Sequence, residues 1–475
     1  THPRNTHMNL SIRNQSYTDS APHRIKSRDL YGGNASVKAK STTYLFQEKN
    51  ETSADYELRL KRACIDNYVE KIIQARQSVL FLRPHTRDLD ASLDAYIDDV
   101  DASGTNAATF FADVARDAQI DGLRWVLVDM PRLEEPPNTR ADEIAAGIRP
   151  FFQSVPASSV IDWEVGADNK LNWAVIEQWV EQPREPFAPT KCIVEYKVWR
   201  RDRWELHRSD DPDSRTSQVS MVADGPNPTG MVPLVPFYGI KSADFFGLPA
   251  CFSILDQIIL VYNKESDLDW FQRLYCHPVP YVISPKPPGK MDTASGFWIE
   301  SSPQSGEIKC DYLQTSGDGE TSVRASIEKI EAKIYAIALA QAKRDGKQVQ
   351  AADSMREDRR VFNSSLKTAS EQLQRCETAC WQLMAAWLGK PGAQVNIAYS
   401  RDFNDRNIDD AMLAALGDLV DTRKLSLETF HKTLEHAELL PDFDAEKEQQ
   451  LLAAEASKRA VELLSALDKN ASGGA

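Results

Sequence analysis

Two cysteines in the sequence stand at a spacing that could hold a metal ion. Cys376 and Cys380 are one helical turn apart, a separation that suits two zinc ligands. They lie in an apolar stripe beside Leu373 and Leu383, however, and that stripe has no histidine or carboxylate to complete a ligand set. The pattern therefore predicts two thiols in a packed helical core, and no metal site is expected there.

A second group resembles a zinc motif only at first sight. His431 and His436 are five positions apart, with Glu435 between them. On a helix this spacing places the two imidazoles about 140° apart, and it matches neither common zinc-protease pattern. We expect no metal binding by these residues.

Six aspartates are concentrated in one short part of the chain: Asp88, Asp90, Asp94, Asp98, Asp99 and Asp101. Carboxylates are good calcium ligands, but a calcium loop also needs a central glycine and a terminal glutamate, which this series lacks. The series is therefore predicted to be the solvated face of a helix.

Positive charge is concentrated between two strongly helical patterns. The residues that carry it are Lys343, Arg344, Lys347, Arg356, Arg359 and Arg360. A loop with these side chains could contact phosphate groups. It could equally be a solvated connection, because Asp345, Asp353, Glu357 and Asp358 neutralise part of the charge. The sequence leaves both interpretations open.

The glycine patterns that accompany nucleotide binding and hydrolysis are absent from the sequence. Three Gly-Lys pairs occur, at 289–290, 346–347 and 389–390, but none has the following Ser or Thr and the spaced glycine of a phosphate-binding loop. Gly-x-Ser-x-Gly and Gly-x-Gly-x-x-Gly are also missing. We therefore expect a protein without catalytic residues or cofactors, and not an enzyme.

Length and composition indicate a globular chain of two or three packed units. The chain has 475 residues, and its apolar runs are far shorter than the roughly 18 to 20 residues that span a bilayer. Its seven cysteines lack the spacing of a disulfide framework, so free thiols in the cytoplasm are expected, and no signal peptide is recognised. The net charge of −14 argues against tight, non-specific binding to DNA.

The first half of the chain is predicted to be a polar arm followed by an α+β unit. Residues 1–45 contain few bulky apolar groups and are not expected to fold alone. One helix is predicted from Ser53 to a point before Pro84 and another over 107–118, followed by a strand at 123–128. Alternating apolar residues then predict strands at 171–175 and 192–198, with a hairpin loop at 200–203.

The second half is dominated by helical periodicity. One helix is predicted between Pro249 and Pro278, and a second from about Thr321, with a stripe of Val and Ile over 323–337. The prolines and glycines between them leave room only for a small β element. A third helix is predicted from 364 or 365 to Gly389, where a left-handed cap ends it. Three short helices follow, with N-caps at Ser426 and at 444 and a separator at 441.

Taken in this order, the elements resemble those of the portal proteins of tailed bacteriophages. Short segments support the resemblance: YELRLKRA at 56–63, VLVDMP at 126–131, RPFF at 149–152, IDW at 161–163, WLG at 387–389, LSLET at 425–429 and LLP at 439–441. The resemblance rests on the succession of elements and extends over residues 45–460.

The resemblance implies an α+β, mostly helical fold with portal architecture. Its expected parts are an N-terminal polar arm (1–45), an α+β wing (46–248), a first stem helix (249–276), a clip (277–317), a second stem helix (318–345), a tunnel loop (346–363), a long helix returning to the wing (364–408), and a helical crown with the C-terminal tail (409–475).

The resemblance also implies a function. A portal is a homo-oligomeric ring, expected here to be a dodecamer, which assembles in the host cytoplasm and occupies a unique capsid vertex of the virion. Double-stranded DNA passes through its channel during packaging and ejection. Its expected partners are the terminase, then a tail adaptor or connector, and the major capsid protein, with no membrane. Lys343, Arg344 and Lys347 become candidates for the DNA channel, and Lys286, Lys290 and Trp298 for terminase and adaptor docking.

A physical argument accompanies the resemblance. Two amphipathic helices with a narrow apolar seam cannot bury both flanks in a monomer, and lateral packing around a ring supplies the missing partners. Two alternatives from other classes remain. One is a non-enzymatic helical scaffold or adaptor protein of another assembly, and the other is an enzyme with an unrecognised site. An assembled ring separates the portal interpretation from both.

Overall fold

The computed structural model describes residues 12–131, 148–190, 192–209, 219–276, 279–286, 297–300, 308–313, 318–338 and 352–401, with short stretches between 403 and 447. The chain forms two compact units, residues 1–402 and 403–475. In the described ranges both helices and sheets are extensive, with more residues in helices than in strands. The predicted α+β class is confirmed.

Three short helices begin the first unit: α1 (Gln15–Tyr31), α2 (Gly33–Ala39) and α3 (Ser41–Tyr44). Asn14 caps α1 by accepting a hydrogen bond from the backbone N–H of Ser16. Leu30, Val37 and Tyr44 are buried in a common apolar cluster. The prediction of a polar arm over 1–45 is therefore wrong for residues 15–44, because these few apolar side chains lie where later parts of the chain bury them.

The helix predicted from Ser53 towards Pro84 is in fact two helices, α4 (Ser53–Arg62) and α5 (Tyr68–Leu80). Residues 63–67 are not helical and separate the two helices. The Asn67 side chain accepts a hydrogen bond from the N–H of Glu70 and caps α5. The strand β1 (Thr86–Leu89), the one-turn helix α6 (Ala91–Asp94) and the predicted helix α7 (Ala107–Asp121) follow. Gly122 ends α7 with a φ of 86°, a conformation that favours glycine.

The acidic series at 88–101 is not the face of one helix, contrary to the prediction. Asp88 lies in β1, and Asp90 caps the N-terminus of α6. Asp101 accepts hydrogen bonds from the N–H groups of Ser103 and Thr105 and shapes the turn before α7. Aspartate favours caps and turns because its short side chain can bond to nearby backbone N–H groups.

Two antiparallel sheets form the middle of the first unit. One has three strands, in the order β3 (Phe151–Pro156), β2 (Leu123–Asp129) and β9 (Leu234–Tyr238). The other has five, in the order β4 (Val160–Val165), β5 (Leu171–Glu181), β6 (Cys192–Arg200), β7 (Arg203–Ser209) and β8 (Ser220–Pro226). A small hairpin of β10 (Ile240–Ala243) and β11 (Phe246–Leu248) follows β9. The strands predicted at 123–128, 171–175 and 192–198 and the loop at 200–203 are confirmed.

Tryptophans fill the core shared by the two sheets. Trp125 of β2, Trp163 of β4 and Trp199 of β6 belong to one buried cluster. Trp125 also stacks on Phe245, with ring centroids 5.8 Å apart. Large aromatic side chains dominate the apolar area that a core removes from water, so they join the sheets into one body.

A long helical segment follows the sheets. A 3-10 turn (Phe252–Ile254) leads into α8 (Leu255–Cys276), and three strands separate it from α9 (Asp318–Ala338). These strands, β12 (Val279–Ser284), β13 (Phe297–Glu300) and β14 (Lys309–Leu313), form one sheet in the order β13-β12-β14. The prediction of two helices separated by a small β element is confirmed.

The third long helix, α10 (Ala352–Trp387), begins earlier than predicted. The sequence predicts a loop over 346–363, but residues 352–363 are helical, because Arg, Glu and Met have high helix propensity however polar the stretch is. The helix ends as predicted. Gly389 has a φ of 72°, and the N–H groups of Gly389 and Lys390 bond to the carbonyls of Ala386 and Ala385. The strand β15 (Val395–Ala398) then pairs with β1, so helix does not continue to 408.

In the described part of the second unit the longest helix is α11 (Asp410–Asp421), which has 12 residues. The N–H of Thr429 donates to Ser426 Oγ at 3.1 Å, which confirms Ser426 as an N-cap. The N-cap predicted at 444 and the separator at 441 lie outside the described residues.

A buried ion pair joins α10 to β1. Glu377 is 0% exposed, and its carboxylate accepts hydrogen bonds from the Arg87 guanidinium at 2.6 and 3.2 Å. The Trp381 indole N–H and the Tyr399 hydroxyl also donate to it. His85 stacks on Tyr399 with centroids 3.9 Å apart, and burial lowers the pKa of this imidazole to about 4. The carboxylate is thus fully surrounded by donors, as a buried charge requires.

We expect Glu377→Ala to lower the free energy of unfolding by about 3 to 5 kcal/mol, because it leaves the Arg87 guanidinium buried without its carboxylate. Urea denaturation measures the change. The matched control is Glu371→Ala on the same helix, since Glu371 pairs with Arg401 at 3.6 Å on the surface. That substitution should cost less than about 1 kcal/mol. Equal losses in the two variants would contradict a special role for the buried pair.

Candidate functional site

The helical hairpin, defined here as α8, α9 and the three-stranded sheet between them, is the candidate functional site. The two helices pack through the apolar stripe predicted for α9, in which Ile327 is 7% and Ile334 0% exposed. Gln272 Nε2 of α8 donates to Glu320 Oε1 of α9 at 3.2 Å. The stripe therefore serves to hold the two helices together.

The N-terminal helices, α1 to α5, pack against the base of the hairpin, which is the first part of α8. Leu255, Ile258 and Tyr262 of α8 are buried in the same apolar cluster as residues of α1 to α5. The backbone N–H of Phe46 donates to the Asn263 side chain, and the Asn263 amide donates in turn to a carbonyl at residue 44. These contacts fix the first turns of α8 to the N-terminal helices and to the chain at residues 44–46.

A second set of polar contacts strengthens this base. Arg59 is 7% exposed, and its guanidinium bonds to the Glu51 carboxylate at 2.8 Å and lies 3.6 Å from Asp267 of α8. The hydrogen bonds from the Arg59 guanidinium lower the pKa of the Glu51 carboxyl below its ordinary value. The cation therefore links the chain before α4 to the hairpin.

Large apolar side chains are exposed at several places on the hairpin. They are Leu260, Trp270 and Phe271 of α8, Ile337 of α9, and Trp298, Ile299, Ile308 and Tyr312 in or beside the sheet. Trp270 is 39% and Ile308 75% exposed. Exposed apolar groups scattered singly are ordinary, but their concentration on one element is typical of a surface that binds another protein.

The sheet brings together two of the residues predicted for docking. Trp298 of β13 donates its indole N–H to Ser284 Oγ at 3.1 Å, and this hydroxyl donates to the backbone carbonyl of Lys286. Trp298 is 39% exposed and Lys286 is also exposed at the end of β12. The third docking candidate, Lys290, lies outside the described residues, as do the channel candidates Lys343, Arg344 and Lys347.

Carboxylates meet where the hairpin joins α5. The Tyr68 hydroxyl donates to Glu331 Oε1 of α9 at 2.5 Å. Glu265 of α8 is half-buried nearby, and its burial, together with the charges of Asp66 and Glu331, raises the pKa of its carboxyl to about 7. Sequence reasoning missed this group, because the three acids are distant in the sequence and only the packing of the hairpin brings them together.

The predicted packing of Cys376 and Cys380 in a helical core is confirmed. Cys380 is buried, and Cys376 Sγ donates to the carbonyl of Pro236 at 3.1 Å, while burial raises the pKa of the Cys376 thiol to about 12. Glu435 and His436 lie outside the described residues. Among the residues that are described, no group of three or more His, Cys, Asp or Glu side chains is arranged to hold a metal ion. No helix there has both the length and the apolar character to cross a membrane.

A family model, "Domain of unknown function (DUF4055)", matches residues 258–388, which include most of α8, the sheet, α9 and all of α10. None of the curated proteins matches the sequence. The match to the family model covers less than half of the chain and gives no function.

Among solved structures, the chain is similar to one in "Neck of native GTA particle computed with C12 symmetry", with 13% identity, a TM-score of 0.36, and coverage of 77% of this chain and 89% of that chain. It is also similar to one in "Neck of empty GTA particle computed with C6 symmetry", with 11% identity, a TM-score of 0.39, and coverage of 86% and 96%. A third is in "Virion of native gene transfer agent (GTA) particle", with 11% identity and a TM-score of 0.35. TM-scores this low do not establish a shared fold.

The raised pKa of Glu265 predicts a pH-dependent stability. The pKa in the folded chain, about 7, exceeds the ordinary value of 4.5, so folding favours the protonated carboxyl. The contribution of this carboxyl to the free energy of unfolding is therefore complete below pH 4.5 and is lost as the pH rises through about 7. Glu265→Gln is neutral throughout. It should be more stable than the wild type by about 1 kcal/mol near pH 8, a value reduced for partial exposure, and equal to it near pH 4.5.

Urea denaturation at the two pH values measures this difference. The control is Glu328→Gln, which removes an exposed carboxylate from α9 and should change stability equally little at both. A stability gain for Glu265→Gln that is the same at low and high pH would contradict the assignment.

Proposed function

We propose that this protein is a structural subunit of a tailed-phage portal, a ring that forms the DNA channel at one capsid vertex. The observation that carries the proposal is the succession of elements: an α+β unit, a helix, a small sheet, a second helix, and a third long helix that returns to the α+β unit. The third helix contacts the α+β unit directly, since Trp387 at the end of α10 donates its indole N–H to the carbonyl of Val128 in β2.

In this proposal the α+β unit is the wing, α8 and α9 are the stem, and the three-stranded sheet is the clip. The chain between α9 and α10 becomes the tunnel loop, and the second unit the crown. A stem must be fixed at one end and offer lateral surfaces along its length. The buried base of α8, the exposed Ile337 of α9 and the exposed Trp270 and Phe271 farther along α8 meet these requirements.

Ring formation also gives the exposed apolar side chains of the hairpin a partner. In a closed ring each subunit contacts its two neighbours through two different surfaces, so both flanks of a helix can be covered. The proposed partners are further copies of this chain, double-stranded DNA in the channel, terminase and then a tail adaptor at the clip, and the major capsid protein. No catalytic activity is part of the proposal.

The net charge of −14 fits a channel better than a DNA clamp. Tight, non-specific binding requires lysines and arginines that displace counterions from phosphates. A wall that held the phosphates firmly would impede the sliding of DNA. Basic residues are then needed only locally, and Lys343, Arg344 and Lys347 between the helices are the candidates.

A second candidate function is a non-enzymatic helical scaffold or adaptor of another assembly. The exposed apolar side chains of the hairpin favour it equally, because they require a protein partner of some kind. The two functions differ in self-association. A scaffold or adaptor that binds other proteins through the hairpin does not need to form closed rings of itself.

We expect the purified protein to form closed rings, visible by negative-stain electron microscopy and with the mass of about a dozen subunits by analytical ultracentrifugation. Trp270→Ser combined with Phe271→Ser should reduce the ring fraction at least about tenfold, because each substitution removes apolar contact area at every interface. A monomer or dimer across a wide concentration range would contradict the proposal.

The matched control replaces similarly exposed apolar residues on the edge strand of the five-stranded sheet. Met221→Ser combined with Val222→Ser alters side chains that are 47% and 46% exposed. Rings should persist in this variant. Equal loss of rings in both variants would argue against the hairpin as the assembly surface.

Replacing Lys343, Arg344 and Lys347 together by Ala should leave rings intact and change the length or retention of packaged DNA. Electrophoresis of DNA extracted from particles measures this effect. A control triple substitution of Lys49, Lys61 and Lys390, which are exposed outside the hairpin and the loop, should leave the DNA unchanged. Packaged DNA of wild-type length in the first variant would remove the case for a basic channel loop.

A further inference from the structure

A groove of about 580 Å³ lies on one side of α10. One wall is the helix face that carries Arg375, Ala379 and Gln382, and the other is formed by the loops at 168–171 and 230–232 and by the hairpin of β10 and β11. Its lining is mostly apolar and includes Val232 and Phe245. Grooves of this size and character commonly bind ligands or peptide segments.

The rim of the groove carries a surplus of positive charge. Arg201 pairs with Asp168 at 2.7 Å, and Lys241 pairs with Asp244 at 2.6 Å, so these four charges cancel. Lys170 and Arg375 are also on the rim and are exposed, and neither has an ion-pair partner within the described part of the chain. We call this feature the basic groove. Its surplus charge fits an acidic occupant.

An acidic surface occurs elsewhere in the same unit. The acidic segment, residues 88–101, includes six aspartates, of which Asp99 pairs with Arg149. Asp94 and Asp98 are exposed, and neither forms an ion pair with any residue that the structure describes. The chain therefore carries one surface with unpaired cations and another with unpaired anions.

The two surfaces lie on opposite sides of α10. Glu377 and Trp381 face β1 and β15, and α6 of the acidic segment packs against the same helix. At 100° per residue, the mean direction of Glu377 and Trp381 is about 160° from that of Arg375 and Ala379, which line the basic groove. One copy cannot bring its own acidic segment into its own groove without refolding, whereas a neighbouring copy can.

We propose that the acidic segment of one copy docks in the basic groove of the next copy around the ring, an inference that rests on the proposed function. A ring requires a heterologous contact between two different surfaces that point in different directions on one subunit. The two surfaces of this chain have this arrangement and opposite charge. Lys170 and Arg375 receive Asp94 and Asp98, and salt weakens the contact.

Charge reversal tests the proposal. Lys170→Glu with Arg375→Glu forms one variant, Asp94→Lys with Asp98→Lys a second, and all four substitutions in one chain a third. The ring fraction, measured by analytical ultracentrifugation and electron microscopy, should fall about tenfold or more in each of the first two variants, because like charges then face each other. In the third variant it should recover to within about twofold of the wild type, because every interface has regained opposite charges.

The control is Lys49→Glu with Lys61→Glu, which makes the same change in net charge at exposed positions on the N-terminal side of the first unit. It should assemble like the wild type, and thermal unfolding should show that all variants are folded. Rings that persist in both two-residue variants, or rings that fail to return in the four-residue variant, overturn this contact. A wild-type chain that forms no rings overturns the proposed function and this inference with it, a result distinct from the other two.

Discussion

The structure depends on the way in which the first turns of α8 are held. Leu255, Ile258 and Tyr262 are buried among helices from the first part of the chain, and the remaining turns of this 22-residue helix carry exposed aromatic side chains. A helix of this length spans about 33 Å, and among its described side chains the buried apolar ones lie within residues 255–262. The rest of the hairpin can therefore extend as a separate surface because its base is fixed.

The helices before α4 owe their place to the same constraint. They are too polar to form a core of their own, yet each supplies one or two apolar groups, such as Leu30 and Tyr44, that complete the cluster around α8. Charged groups then fix their geometry. The guanidinium of Arg28 bonds to the carboxylate of Asp121 through two contacts of 2.6 Å, which joins α1 to the end of α7.

Charge in this protein is organised by position. Buried charges such as Glu377 are matched by donors, as desolvation demands, whereas the surplus that produces the net charge of −14 lies on surfaces. Across α10 the unpaired charges differ in sign, with Lys170 and Arg375 on one side and Asp94 and Asp98 on the other. An uneven charge of this kind has little effect on the fold, but it decides which surfaces of two copies attract each other.

The sequence by itself determined the elements whose signals are local. The alternation in β5 and β6, the stripe of α9 and the glycine cap at Gly389 all depend on residues within a few positions of one another, so these elements are present as predicted. The packing of Cys380 also followed from its place in an apolar stripe. Periodicity, caps and turns can be read without knowledge of the fold.

Only the tertiary structure decided features that depend on residues distant in the sequence. The helices at 15–44 form because residues more than 200 positions later bury their apolar groups. The half-buried Glu265 meets Asp66 and Glu331, and the basic groove forms from three separate parts of the chain. Burial, desolvation and charge pairing are properties of neighbours in space, and a linear pattern contains no information on which distant residues become neighbours.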